Sequence, residues 1–207
     1  MSQEKFHGKY RATVVNNKDP LGLGRIQVQV SDATGILPSL TWVKPSSPHA
    51  GLQTGTYVLP PFGAAAWIEF EQGDPNYPVC SGFHWGGLPQ TPLLTQIVDK
   101  QIPPEVPFMM MQTMTQSGFL LSETPIGAPV PLAGPGVVLF TQAGLAHVKL
   151  DALGVTIQSQ ETIVNVSPVG INIVSLKPIK IATPMLTVTG AITAAAVTAP
   201  LINGKSL

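Results

Sequence analysis

The sequence predicts an all-β protein in two parts, a small closed barrel followed by a rod built by several copies of the chain. Three observations carry this. Runs of alternating apolar and polar residues recur through the first 85 residues, and none of them has the 3.6-residue apolar stripe of a helix. From Phe108 onward aromatics nearly vanish and charges thin out, while short alternating runs continue between Gly and Pro. Only 11% of all residues are charged against 44% hydrophobic, well under the usual charged share, so much of the surface must be covered by other chains.

Each element follows from its own letters. "KYRATVV" alternates with Tyr10, Ala12 and Val14 on one face, and "NNKDPLGLG" is a dense turn cluster. "RIQVQV" is a period-2 strand that puts Ile26, Val28 and Val30 together on the core side. "LTWVKP" is a third short strand stopped by Pro45, "TYVLPPFGAAAWIEFEQ" a fourth and "YPVCSGFHW" a fifth. Five antiparallel strands in so short a stretch suit a closed barrel, which leaves no exposed edge. Between Gly86 and Phe108 the alternation stops; five prolines make this a linker, with a short helical turn near "LLTQIVDK".

In the second half, "GVVLF", "AHVKL", "GVTIQS", "TIVNV", "GINIVS", "IKIA", "LTVTG" and "AITAAAV" read as strands without a strict repeat motif. Each offers two or three apolar side chains, too few to enclose a core in one chain. Several copies wound about one axis, with alternate side chains inward, would enclose one. The predicted form is an intertwined β-prism or triple-stranded β-helix. Eight to ten strand layers at about 4.8 Å each give a rod of roughly 40–50 Å.

Charge and composition exclude several classes. The formal net charge is +0 and the sequence pI about 6.9, without the basic stripe of a nucleic-acid binder. Cys80 is the sole cysteine, so no intrachain disulfide framework exists. "MSQEKFHGKY" lacks the apolar core of a secretory signal. "LTVTGAITAAAVTAPLI" is long enough to raise a membrane helix, but it is threonine-rich, contains Gly190 and reaches Pro200.

The stretch "WIEFEQGDPNYPVCSGFHW" (67–85) gathers the chemically suggestive residues. Glu69 and Glu71 share a strand face opposite Ile68 and Phe70. Gly73, Asp74 and Pro75 form the turn, and Pro78 opens the return strand. Paired carboxylates can hydrolyse sugars, but no cleft signal accompanies Glu69, Glu71 and Asp74, so a solvated or inter-subunit face is the reading. Cys80 packs as a small apolar residue, with nothing to bring His84 or His49 beside it. "GLGRIQ" lacks the third glycine and the helix of a dinucleotide loop. Met109, Met110, Met111 and Met114 fill irregular gaps at the neck of the rod.

With these residues in place, "GRIQVQV" (24–30), "WVKPSSPHAG" (42–51) and "YVLPPFGAAAWIEFEQGDPNYPVCSGFHW" (57–85) together resemble the OB-fold domain of contractile-tail spike proteins. That family includes phage baseplate assembly protein V and the VgrG spikes of type VI secretion. The second half is similar to the family's trimeric β-helical needle in character only. The resemblance implies an OB-fold barrel over residues 1–87, a proline-rich linker or neck over 88–107 and a trimeric needle over 108–207. It implies a non-enzymatic homotrimer that caps the tube or hub and pierces the target cell envelope when a sheath contracts. Such a protein is assembled in the cytoplasm without a signal peptide and resides in a virion or an extracellular phage-tail-like particle.

The resemblance further implies no catalytic residue, no cofactor and no nucleic-acid partner. The hub is then a separate chain, since neither a hub module nor a lysozyme module is read here, and a PAAR-type tip protein docks at the C-terminal end. Some spike tips of the family hold iron through paired histidines from three chains. His7, His49, His84 and His147 are isolated here, and His147, in "LAHVKL", is the one metal candidate, if three copies meet on an axis. The alternative is an OB module that binds oligonucleotide or glycan on a trimeric stalk, using Lys5, Lys9, Arg11, Lys18 and Arg25.

Overall fold

A computed structural model describes residues 5–30, 41–182, 186, 187, 189 and 190 of the chain. The first part comprises β1 (Tyr10–Asn16), β2 (Gln27–Val30), β3 (Lys44–Pro45), β4 (Ala50–Gly51), β5 (Thr54–Gly55), β6 (Ala65–Phe70) and β7 (Pro78–His84). Five of these form one sheet in the order β2-β1-β6-β7-β3. Its ends meet where Ile26 and Val43 exchange backbone hydrogen bonds of 3.1 and 2.8 Å, which turns the sheet into a barrel. The third strand anticipated at "LTWVKP" is cut down to this bridge and Lys44–Pro45, because Pro45 supplies no further donor.

Alternation fills the barrel as read. Ala12, Val14, Ile26, Val28, Val30, Val43, Ala66, Ile68, Phe70 and Cys80 form one buried cluster. Register slips between Val14 and Asn16 in β1, and opposite Trp67 and Ile68 in β7, are bulges of the kind that bend strands tightly enough to close a ring. The turn 16–25 is held by Asp19. Its side chain, 3% exposed, accepts from the backbone N–H groups of Leu21, Leu23 and Arg25 and from the Arg25 guanidinium.

The second part begins with α1 (Leu93–Asp99) and continues through β8 (Phe108–Gln112), β9 (Gly118–Ser122), β10 (Gly136–Thr141), β11 (Ala146–Asp151), β12 (Gly154–Ser159), β13 (Thr162–Ser167) and β14 (Gly170–Ser175). These strands form one seven-stranded antiparallel meander in sequence order. Leu94 and Val98 of α1, with Ile102, Ile126, Val130 and Leu132 from the loops, cover Leu120, Val138 and Phe140. The 88–107 segment therefore carries a helix that joins the core of the sheet. Gln101 ties helix to loop. Its amide donates to Ile97 O and Ala128 O and accepts from the N–H groups of Gly127 and Ala128.

From β11 to β14 the strands start at 146, 154, 162 and 170, an interval of eight residues made of a six-residue strand and a two-residue turn. Gly154 shows why one turn position is glycine: φ is +125° and a Cβ would lie 2.1 Å from Val166 O. The next interval would begin at Pro178, and the strand anticipated at "IKIA" (179–182) does not form there: described residues 176–182 belong to no strand. Continuing the pleat would turn Pro178 and Lys180 to the side where every other strand presents apolar residues. "AITAAAV" and most of "LTVTG" lie outside the described residues.

Candidate assembly interface

Register determines which side chains share a face of the large sheet, because neighbours directly across the ladder point the same way. One row runs Met111, Phe119, Leu139, Val148, Ile157, Val164, Ile173; beside it runs Met109, Leu121, Val137, Leu150, Val155, Val166, Ile171. Both rows cross all seven strands without one polar residue. A third row on this face, Thr141, Ala146, Ser159, Thr162, Ser175, gives it a small, uncharged margin.

Nothing among the described residues covers this face. Leu139 is 57%, Ile157 50% and Ile171 70% exposed. An apolar sheet face normally lies against a second layer, and a contiguous exposed apolar patch of this extent marks an interaction surface. The opposite face divides: at β8–β10 it is covered by α1 and the loops, and from β11 onward it is mostly polar, with Ile163 and Val174 the exceptions. There Lys149, Thr156, Asn165 and Asn172 are cross-strand neighbours, with Asn165 Nδ2 donating to Thr156 Oγ1 at 3.0 Å. The same face is fixed at its edge by Asp151, 1% exposed, which accepts from Lys149 Nζ at 2.9 Å and from the N–H groups of Leu153 and Ala133. Burial opposes its charge, and these donors outweigh burial, holding the carboxyl below the usual carboxylate range.

The residues singled out in sequence fall elsewhere. His147 lies on the polar face, buried between Phe140 and Gln158 across the ladder, with Nδ1 3.2 Å from Gly144 O. Glu69 pairs with Lys9 at 3.3 Å, both substantially exposed. Glu71 departs from the sequence reading: β6 ends at Phe70 and Glu71 opens a 3-10 turn, so it does not share a strand face with Glu69. Asp74 is occupied by the N–H and side-chain amide of Asn76, and Gly73 takes φ +78°.

Cys80 is in the barrel core, its thiol pKa pushed up by burial, while His84 stacks on Trp67 at 4.5 Å and Arg11 sits 5.8 Å from the Trp67 ring. The His49 ring lies 3.4 Å from Thr54 Oγ1, away from Cys80. Among the described residues no three His, Cys, Asp or Glu side chains gather closely enough to hold a metal ion. The early cations do not form a free stripe either: Arg25 is bound to Asp19 and lies over Trp42, and Lys9 is paired. No described helix is long and apolar enough to cross a membrane.

Sequence reasoning missed two elements of this surface, β8 and β9. "FMMMQ" and "GFLLS" are apolar at nearly every position, so their alternation is invisible in the letters. The signal that would have found them is the polar, Gly-ended stretch "TQSG" between two short apolar runs.

No curated protein matches the chain. Residues 10–85, the closed barrel, match the family model described as the type VI secretion system/phage-baseplate injector OB domain. The match assigns the barrel, residues 10–85, to that OB-domain family and supports a protein of the baseplate spike kind.

Proposed function

We propose that the chain is the central structural spike of a contractile injection machine, working as a homotrimer. The carrying observation is the pair of unbroken apolar rows across seven strands, attached to a baseplate-type OB barrel. Three sheets with these rows turned inward make a triangular prism whose interior is dry and whose outer face is the polar one. Burying each Val, Leu, Ile, Phe or Met contributes about 1.5–3 kcal/mol, and every strand supplies two such residues to the rows. The seven strands span six spacings of about 4.8 Å, roughly 29 Å of the needle.

In this arrangement the barrels cap the tube or its hub, a separate chain, and sheath contraction drives the needle through the target envelope. A PAAR-type tip protein caps the far end. The particle is a phage tail or a phage-derived extracellular one. The role is mechanical and involves no enzymatic step: a stiff rod transmits force, and a shared core makes it slow to unfold. The three His147 side chains, on the outer face, stay apart from the three-fold axis, which speaks against a metal there.

Sedimentation velocity on the full chain at micromolar concentration tests the reading. A trimer is expected for the parent, and Ile157→Lys, which places a charge in the middle of the dry interior, is expected to abolish it. A monomeric parent would remove the basis for a needle.

A further inference from the structure

An open groove of about 880 Å³ runs between the barrel and the large sheet. Phe62 and Trp85 reach it from the barrel, and Met111, Met114 and Phe119 from β8, β9 and the turn between them. Its lining contains no Asp, Glu, Lys or Arg, and His84, stacked on Trp67, is its one ionisable side chain, so it lacks the cations that grip a phosphate backbone. Yet Met114 is 89%, Phe62 74% and Trp85 61% exposed, an unusual concentration of large apolar side chains in water.

Two further facts bear on what covers them. Met111 and Phe119 belong both to this groove and to one of the apolar rows, so the groove continues the row without a polar break. Among the described residues, no backbone hydrogen bond and no salt bridge joins residues 5–85 to residues 108–175. The direction of the barrel relative to the sheet is thus left to the segment between them.

We infer that the groove is an interchain contact: the β8–β9 end of a second copy of this chain, carrying Met109, Met111 and Met114, fills it, and assembly thereby locks each barrel onto the needle. This rests on the trimer reading and adds to it. The apolar rows alone would build a needle with three loosely tethered barrels. Filling the groove makes barrel and needle one stiff body, as force transmission through the spike requires. A neighbour whose rows lie against Met111 and Phe119 must pass the mouth of the groove, and the surface it brings is the same uncharged, methionine-rich one. Methionine suits a contact that must adapt to an irregular space.

Cysteine protection in the full chain tests this. Met114→Cys and Phe62→Cys are compared with Lys100→Cys, at the exposed end of α1 on the outer side. Labelling by a maleimide is followed by peptide mapping to set aside the buried Cys80. Sedimentation is run on the same samples. Trimers in which positions 114 and 62 react at least ten-fold more slowly than position 100 are expected. A Met114→Cys chain that falls to monomers while the parent stays trimeric would equally support the contact, since Met114 has little to lose within one chain. Trimers that label at 114 and 62 as fast as at 100 would overturn the inference and leave the trimer standing. A monomeric parent would overturn both.

Discussion

Gln53, Gln72, Gln116, Gln142 and Gln160 all take positive φ, between 44° and 59°, and no other non-glycine residue among those described does. Each sits at a reversal, where Gly or Asn is the common choice and an L side chain crowds the following carbonyl. Turn chemistry was legible where the letters were the usual ones, as in "NNKDPLGLG" and "QGDPN", and silent where Gln does the work. Gln116→Gly, at the β8–β9 turn, is expected to raise stability by about 0.5–1 kcal/mol, read as a higher denaturant midpoint.

Asp19 carries a prediction of the opposite sign. The Arg25 guanidinium, followed by the N–H donors of the turn, holds its carboxyl far below the usual carboxylate range despite burial. A carboxyl depressed in the folded state contributes stability that is fully present above its unfolded pKa, about 3.9, and is lost as pH falls through the folded value. The barrel should therefore keep this contribution from neutral pH down to about pH 4 and lose it only in stronger acid. Asp19→Asn should lower the thermal midpoint at pH 7 and narrow its gap to the parent below pH 3, a result that paired melts at about pH 7 and pH 2 would check.

At the scale of elements, the strands with clean alternation, β1, β2, β6 and β10–β14, were readable because one face is buried or apolar and the other is not. The eight-residue interval of β11–β14 was not readable, for a physical reason. A strand of six plus a turn of two flips the parity at every step, so the residues of the apolar face are the first, third and fifth of one strand and the second, fourth and sixth of the next. The repeat is one of geometry and leaves little trace in letters. Gln101 was equally invisible: a lone glutamine in a proline-rich stretch gives no hint that it bonds the end of α1 to the loop at 127–128. Replacing it with Leu removes these bonds while keeping bulk, and should cost about 1–2 kcal/mol. The loss should appear as faster amide exchange at Gly127 and Ala128 with the barrel unaffected.

For the whole molecule, composition led to the expectation that the second half cannot enclose a core alone; the structure corrects this at β8–β10, where α1 and the loops bury Leu120, Val138 and Phe140 within one chain. Composition did not show that the required interior is a flat wall two rows wide, because that depends on which residues stand opposite each other across six ladders. The structure makes this wall free of charge. None of the described salt bridges, Lys9–Glu69, Arg25–Asp19, Lys149–Asp151 and Lys177–Glu161, lies in the apolar rows.

An assembly held by such a surface should respond to salt unlike one held by ion pairs. Exposed pairs contribute at most about 1 kcal/mol and are screened over roughly 3 Å at 1 M ionic strength, whereas apolar burial is not screened. The mass of the assembly should thus stay constant between about 0.05 and 1 M sodium chloride, where a charge-steered oligomer would dissociate. Its unfolding should be slow, with an apparent melting temperature that rises with scan rate, since in the proposed trimer the chains must part before any one exposes its rows. Sedimentation across the salt series, with melts at two scan rates, measures both. Dissociation in high salt would mean that charges outside these rows hold the copies together, and the uncharged wall would then be the wrong surface.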